Sequence, residues 1–326
     1  MMRAVICNTF DGVDSLVLGT MDSPKPRPHQ VLVDVHAASI SFMDCLMVAG
    51  KYQLRPQTPF VPGTDAAGVV AEVGSEVTRF KPGDRVICGG WSGCYAERVV
   101  ASQDATVLLP DGVDFETGSI VRHCYGTARY ALLDCARLQA GEAIFISGAA
   151  GGVGLAAVDL ARHLGATIIA GVGTPDKAGI TRAHGAQEVI VYGSEDLRQR
   201  IKDITGGKGV DVFFDNIGGE IFSTMTRLMN WGGRMLPVGF TSGEIVSVPM
   251  NLPLLKNYSV VGSYWGAWAE RFPQASLDAD AQLLAWVAQG SIKPHVSASL
   301  PLEEFRTGMH KVTQRLAQGR TVLRVR

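Results

Sequence analysis

The spacing of hydrophobic positions changes once along the chain. Over residues 1–122 apolar residues fall in short runs, at 4–6, 30–36, 67–73, 85–88 and 96–100, punctuated by Pro and Gly, with a short helical spacing at 42–48. Closely spaced runs of this kind predict a compact, mainly antiparallel, barrel-like domain. Residues 116–138 read as helical, and after Gly141 apolar runs begin to alternate with helical segments. Strands are predicted at 143–147, 167–172, 188–191, 210–215, 233–238 and 259–263, with helices at 152–164, 176–184, 194–205, 220–229 and 252–256. Such alternation predicts a parallel sheet with helices on both faces. The tail reads as a tryptophan-rich loop, SYWGAWAERFP, then a helix at 277–289, a strand at 296–300, a helix at 302–317 and a last strand at 321–325.

The densest signal is AIFISGAAGGVGLAAVDLARHLGA, residues 143–166. An apolar run gives way to a glycine turn, and Leu155, Val158, Ala161 and Leu164 then recur at helical spacing. Strand, turn and helix in succession aim backbone N–H groups at an anion. The turn carries the dinucleotide fingerprint with Ala149 in the first glycine place. In that pattern Gly151 lets a pyrophosphate approach the backbone and Gly154 lets the helix pack close to the strand. Ala150, Gly151, Gly152 and Val153 are the candidate phosphate contacts.

The next strand ends in Gly173-Thr174-Pro175-Asp176-Lys177. An NAD-preferring site carries an acidic residue at that tip, to hydrogen-bond the ribose 2′-hydroxyl. Here the tip is not acidic, and Lys177 offers a positive charge for a 2′-phosphate. NADPH is therefore the expected cofactor. Asn216, just past the fourth strand, lies at a carboxyl end, where open parallel sheets bind ligands.

Composition adds limits. A chain of 326 residues is long for one core, so two domains are expected. With 46% hydrophobic residues, 19% charged residues and a net charge of -1, it has the make-up of a globular protein without a nucleic-acid footprint. No apolar run reaches membrane-spanning length and the start lacks a signal core. Six scattered cysteines favour reduced thiols, and the expected location is cytoplasmic.

Several further stretches stand in order beside the glycine turn: GTDAAGVV at 63–70, VGSEVTRFKPGDRV at 73–86, GCYAERVV at 93–100, GTARYAL at 126–132, ITGGKGVDVFFDNIGG at 204–219 and NLPLLKNYSVVGSYWGAW at 251–268. Together they resemble the medium-chain dehydrogenase/reductase superfamily, in its zinc-free NADPH:quinone oxidoreductase (zeta-crystallin-like) branch. The resemblance implies an α/β protein with a GroES-like β-barrel catalytic domain, 1–122 with 264–326, and a Rossmann NADPH-binding domain with a doubly wound parallel sheet, 123–263. It also implies that Gly173, Thr174, Lys177 and Tyr192 contact the 2′-phosphate; Arg315, near the tail, is a second candidate cation for that phosphate. Gly239 and Phe240 match the contact to the nicotinamide end, and Thr127 the residue beside the nicotinamide ring.

The family's first two zinc-ligand positions fall on Ser41 and Thr64, and only His123 stands near the third. One imidazole does not make a catalytic zinc site, so no metal is expected. Without a Lewis acid, electron-poor conjugated acceptors are favoured, quinones or activated enones. Ser41, where the family usually has asparagine, Asp44 and Tyr52 match family positions around the acceptor. Tyr52 is the candidate hydrogen-bond or proton donor. An exposed Asp44 would be ionised and orient its neighbours. The alternatives are an enoyl-thioester reductase of enoyl-CoA type and a non-catalytic NADPH-binding protein. Homodimers are a family expectation, with 259–263 as the pairing edge.

Overall fold

The computed structural model describes all residues, 1–326. The chain divides into two compact units, Met1–His123 with Ala269–Arg326, and Cys124–Trp268.

The first unit begins with strands β1 (Met2–Ile6), β2 (Val17–Met21), β3 (Gln30–Ile40), β4 (Asp65–Val73), β5 (Arg85–Gly89), β6 (Arg98–Ser102) and β7 (Thr106–Leu108), and helices α1 (Phe42–Val48) and α2 (Phe115–Ile120). The eleven-residue β3 is its spine, pairing antiparallel with both β4 and β6. Val31, Val33, Val35, Ala38 and Ile40 on β3 enter one core with Val5, Phe60, Val86 and Tyr95.

The second unit holds α3 (Gly126–Arg129), β8 (Ala143–Ile146), α4 (Gly152–His163), β9 (Thr167–Val172), α5 (Ala178–Ala183), β10 (Glu188–Val191), α6 (Leu197–Thr205), β11 (Val210–Asp215), α7 (Gly219–Met225), β12 (Met229–Pro237), α8 (Asn251–Lys256) and β13 (Ser259–Val260). Its six-stranded sheet runs β10-β9-β8-β11-β12-β13, parallel throughout. Counted within the unit, that order is 3-2-1-4-5-6, the doubly wound arrangement whose switch point lies between β8 and β11. Ligands of such sheets bind outside the carboxyl ends of the strands at that point.

The chain crosses back in α9 (Trp265–Arg271), and α10 (Pro273–Ala288), β14 (Val296–Pro301), α11 (Phe305–Thr313) and β15 (Arg320–Arg324) complete the first unit. There β15 pairs antiparallel with β3 and parallel with β14, so the tail extends the sheet begun by the N-terminal strands.

Several expectations need correction. The tryptophan-rich segment is the helix α9 rather than a loop. Trp265 is buried against Gly126, where a Cβ would come within 2.9 Å of the indole, and Trp268 stacks on Tyr130 with centroids 4.8 Å apart. Those contacts hold 264–268 to the second unit, so the boundary falls after Trp268 and not at 263. The single helix expected over 116–138 is α2, a π-turn at Val121–Tyr125, α3 and a second π-turn at Tyr130–Cys135. The strand expected over 259–263 is only Ser259–Val260. The last helix stops at Thr313 because the chain turns out through Arg315 at φ 59°.

Helix α4 packs against β8 and β9 through Gly154, whose missing side chain is a requirement: a Cβ there would lie 2.2 Å from the Gly148 carbonyl oxygen. Gly154→Ala is expected to destabilise the protein by about 1–3 kcal/mol, as overpacking does. A thermal melt should show the loss, and an unchanged melting temperature would contradict this packing.

Candidate nucleotide site and active-site residues

The glycine turn is built by backbone geometry. Gly148 takes φ 59°, a left-handed conformation that suits glycine. The Ala149 N–H donates to the Gly171 carbonyl on β9 at 3.0 Å, and the Gly151 N–H returns to the Gly148 carbonyl at 3.0 Å. Gly151 is the N-cap of α4, and no side chain caps that helix. A Cβ on Gly151 would meet only the Gly148 carbonyl oxygen, at 3.4 Å, an ordinary contact. The fold itself therefore does not demand glycine at 151.

Across the switch point the turn is tied to β11 by a buried carboxylate. Asp215 is fully buried, and its Oδ1 accepts the Ser147 hydroxyl at 2.5 Å and the Ile217 N–H at 3.0 Å, while Oδ2 accepts the Gly218 N–H at 2.9 Å. Burial pushes this carboxyl up, and those three donors oppose the shift. Ser147 in turn accepts the Asn216 N–H at 2.9 Å, and the Asn216 side-chain amide donates to the Ser147 carbonyl at 2.9 Å. The Val238 and Gly239 N–H groups donate to the Asp215 carbonyl, and Thr241 binds the Asn216 carbonyl through both its N–H and its hydroxyl. Sequence reasoning named Asn216 and Gly239 but missed Ser147, Asp215 and Thr241. The available signal was a carboxylate that ends β11 directly after the apolar run Val212-Phe213-Phe214.

Gly173 and Thr174 are exposed beyond β9, and Lys177 ends the short turn Pro175–Lys177 that leads into α5. Tyr192 follows β10, but its hydroxyl is engaged with the turn: it accepts the Gly148 N–H at 3.1 Å. Phe240 is 37% exposed. Thr127 is half-buried on α3, between the two π-turns. Residues 150–153, Tyr192, Asn216 and Gly239 thus all belong to the turns that follow parallel strands. Arg315 belongs to the first unit, where it is exposed.

In the first unit Ser41 and Asp44 form the capping box of α1. The Ser41 hydroxyl donates to Asp44 Oδ2 at 2.6 Å and accepts the Asp44 N–H at 3.0 Å, and the Ser41 N–H also donates to Oδ2. Contrary to the exposed aspartate expected, Asp44 is fully buried, and Ser41 is 1% exposed. Tyr95 donates its hydroxyl to the same carboxylate at 2.8 Å. Burial pushes the Asp44 carboxyl up against these bonds. Tyr52 follows α1 by four residues and packs half-buried on the core.

Thr64 and Asp65 lie at the start of β4. The Thr64 hydroxyl is 3.2 Å from Asp65 Oδ2, and His123 Nδ1 is 3.9 Å from the same oxygen. No group of three or more His, Cys, Asp or Glu side chains is placed to hold a metal ion. None of the six cysteines forms a disulfide, and burial pushes the Cys45 thiol far above its ordinary range.

Fold and turn define a dinucleotide-type α/β unit joined to a mainly antiparallel one. Residues 152–280 match the family described as zinc-binding dehydrogenase, and residues 27–111 the alcohol dehydrogenase GroES-like domain. A quinone oxidoreductase-like protein 2 homolog of Nematostella vectensis is 37% identical, covering 98% of this chain and 88% of that protein. Quinone oxidoreductase of Rattus norvegicus is 34% identical, over 93% and 92%. The crystal structure of Escherichia coli quinone oxidoreductase complexed with NADPH matches with a TM-score of 0.91 at 30% identity, over 99% of this chain and 100% of that one. The chain belongs to the medium-chain dehydrogenase/reductase superfamily, in its quinone oxidoreductase branch, and is an oxidoreductase of that type. No helix is long and apolar enough to cross a membrane.

The Asp65 pair has a pH signature. Burial raises the Asp65 carboxyl from 3.8 to about 7 despite Arg320 and Arg122, and burial with the same arginines lowers His123 from 6.5 to about 3. The folded chain keeps the Asp65 proton where the unfolded chain has lost it. That contribution to stability is complete below the ordinary carboxylate pKa and disappears as pH rises through about 7. His123 acts with the opposite sign: its contribution is complete above 6.5 and declines as pH falls toward about 3. Asp65→Asn cannot titrate there, so its melting temperature relative to wild type should rise between roughly pH 4 and pH 7. A difference that stays flat across that window would show an ordinary carboxylate.

Proposed function

We propose that this protein is an NADPH-dependent reductase that delivers hydride to a quinone or an activated enone without a metal. The observation that carries the reading is Gly151, a glycine that the fold does not require, at the start of a helix that no side chain caps. Glycine there leaves the backbone open to close approach by a phosphate. The relative solved with NADPH and the quinone oxidoreductase names of the curated relatives support the same cofactor and acceptor class.

In this reading the second unit is the nucleotide domain and the first is the catalytic domain. The N–H groups over 150–153 would hold the pyrophosphate, and Gly173, Thr174 and Lys177 the 2′-phosphate, with Arg315 as a further cation. Asn216, Gly239 and Phe240 would border the nicotinamide end, and Thr127 would lie beside its ring. Bound NADPH supplies the hydride, and the protein supplies orientation and a proton. Tyr52 is the proposed donor to the acceptor oxygen. Ser41 and Asp44 act through α1: with both hydrogen-bonding groups spent on the cap, they fix the helix that leads into the Tyr52 segment. The cytoplasmic location and the absence of a metal belong to the same proposal.

The proposal includes a homodimer. Strand β13 is one of the two edges of the nucleotide sheet, and Val260 on it and Leu254 and Leu255 on α8 are 42%, 80% and 67% exposed. A second copy pairing at this edge would cover them.

Two variants and one assay test the function. Gly151→Ala should leave the melting temperature within about a degree of wild type, yet weaken NADPH binding about tenfold or more by blocking close approach. Lys177→Ala should raise the Kd for NADPH about five- to tenfold while NADH binding stays within about twofold. Equal losses for both nucleotides would remove Lys177 from the phosphate site. NADPH oxidation against quinones, enones and enoyl-CoA esters then fixes the acceptor. Turnover of CoA esters alone would replace the proposal with an enoyl-thioester reductase, and no turnover by a folded NADPH-binding sample would leave a non-catalytic protein.

A further inference from the structure

Tyr192 matches a residue that the resemblance assigns to the 2′-phosphate, yet its hydroxyl faces a different group. We infer that Tyr192 is a positioning residue for the glycine turn, acting through Gly148 on nucleotide binding as a whole rather than on the choice between NADPH and NADH. The inference rests on the nucleotide-binding reading above and adds a residue whose action is shared by both nucleotides.

The Tyr192 N–H donates to the Val172 carbonyl at the end of β9, at 3.0 Å, and the ring packs on the core that contains Phe145, Ile190 and Phe213. From that fixed base the hydroxyl accepts the Gly148 N–H at 3.1 Å. Room for it comes from Gly171: a Cβ there would lie 2.2 Å from the Tyr192 oxygen and 2.8 Å from Phe145 Cζ. Gly171 therefore serves the turn twice. Its carbonyl accepts the Ala149 N–H, and its missing side chain admits the hydroxyl that accepts the Gly148 N–H. Two consecutive amides of the turn are held from outside it.

What Gly148 does is passed on directly. Its carbonyl, on the peptide that follows the one Tyr192 holds, accepts the Gly151 N–H and abuts Gly154, so the orientation of these two linked peptides sets the start of α4 and the direction of the amides over 151–153. Burial pushes the Tyr192 phenol well above its ordinary range, so the hydroxyl remains protonated at all working pH values. Nothing in this linkage distinguishes a nucleotide with a 2′-phosphate from one without.

The test is Tyr192→Phe, which deletes one oxygen and keeps the ring in the core. Both Kd values, for NADPH and for NADH, should rise by the same factor, about three- to thirtyfold, leaving their ratio within about twofold of wild type. In the unliganded protein, NMR should show faster hydrogen exchange at the Gly148 amide while core amides on β8 keep wild-type protection. A loss confined to NADPH would overturn the inference and return Tyr192 to the phosphate. Unchanged Gly148 exchange would also overturn it. If wild type binds neither nucleotide, the nucleotide reading has failed, and the exchange measurement alone still decides whether Tyr192 holds the turn.

Discussion

A carboxylate buried at the switch point of the parallel sheet is the constraint that organises the nucleotide unit. A buried charge is costly unless hydrogen bonds satisfy it, and Asp215 is fully buried at the end of β11. Its donors come from Ser147 at the end of β8 and from the N–H groups of its own following turn, while its carbonyl holds the turn after β12. The side chain thus ties the turns after β8 and β11 together, and the backbone carbonyl of the same residue adds the turn after β12. Because they lie at the carboxyl ends of adjacent strands, they are the turns in which this architecture binds a dinucleotide. Order at the ligand site is a by-product of solvating a buried charge with protein dipoles.

The first unit handles buried charge differently. Asp44 is bound by the Ser41 hydroxyl, the Ser41 N–H and the Tyr95 hydroxyl, while the Arg122–Asp280 pair closes at 3.0 Å and Arg320 donates to the Ile40 carbonyl. Asp65 and His123 are both pushed toward their neutral forms by burial, with Arg122 and Arg320 opposing the shift at Asp65 and reinforcing it at His123. Their proton linkages have opposite signs, so over the mildly acidic range one partly offsets the other. Side chains at family zinc positions serve here as ordinary parts of a hydrogen-bonded interior: Ser41 caps a helix and Thr64 lies within hydrogen-bond distance of a neighbouring carboxyl.

What could be read from the sequence follows from how local each feature is. The five main strands of the nucleotide sheet, its helices and the glycine turn announce themselves through periodicity and glycine spacing within a few residues. The change from short β runs to βα alternation is legible after Gly141, because hydrophobic rhythm is itself local. Less local features were lost. Helix α9 has the sequence pattern of a loop because its stabilising partners, Gly126 and Tyr130, lie more than a hundred residues earlier. Strands β2 and β7 have weak apolar patterns and exist through pairing with β1 and β5. The burial of Asp44 and the position of the Tyr192 hydroxyl depend on Tyr95 and Gly148, distant in sequence, and no window of residues contains that information.

Glycines show most directly how fold and function can be separated in such a turn. Gly148 is needed for its backbone angle, Gly154 because a carbonyl occupies the place of its Cβ, and Gly171 because a tyrosine hydroxyl does. Each of these is explained within the protein, and none implies a ligand. Gly151 is different: its φ is ordinary at -76° and its nearest obstacle lies at van der Waals distance, so the folded chain alone would accept alanine there. Of these four glycines, three are therefore explained by the chain's own geometry and one points to a partner. The weight of a nucleotide-binding assignment rests on the one position that packing leaves unexplained, and on the uncapped amides that follow it.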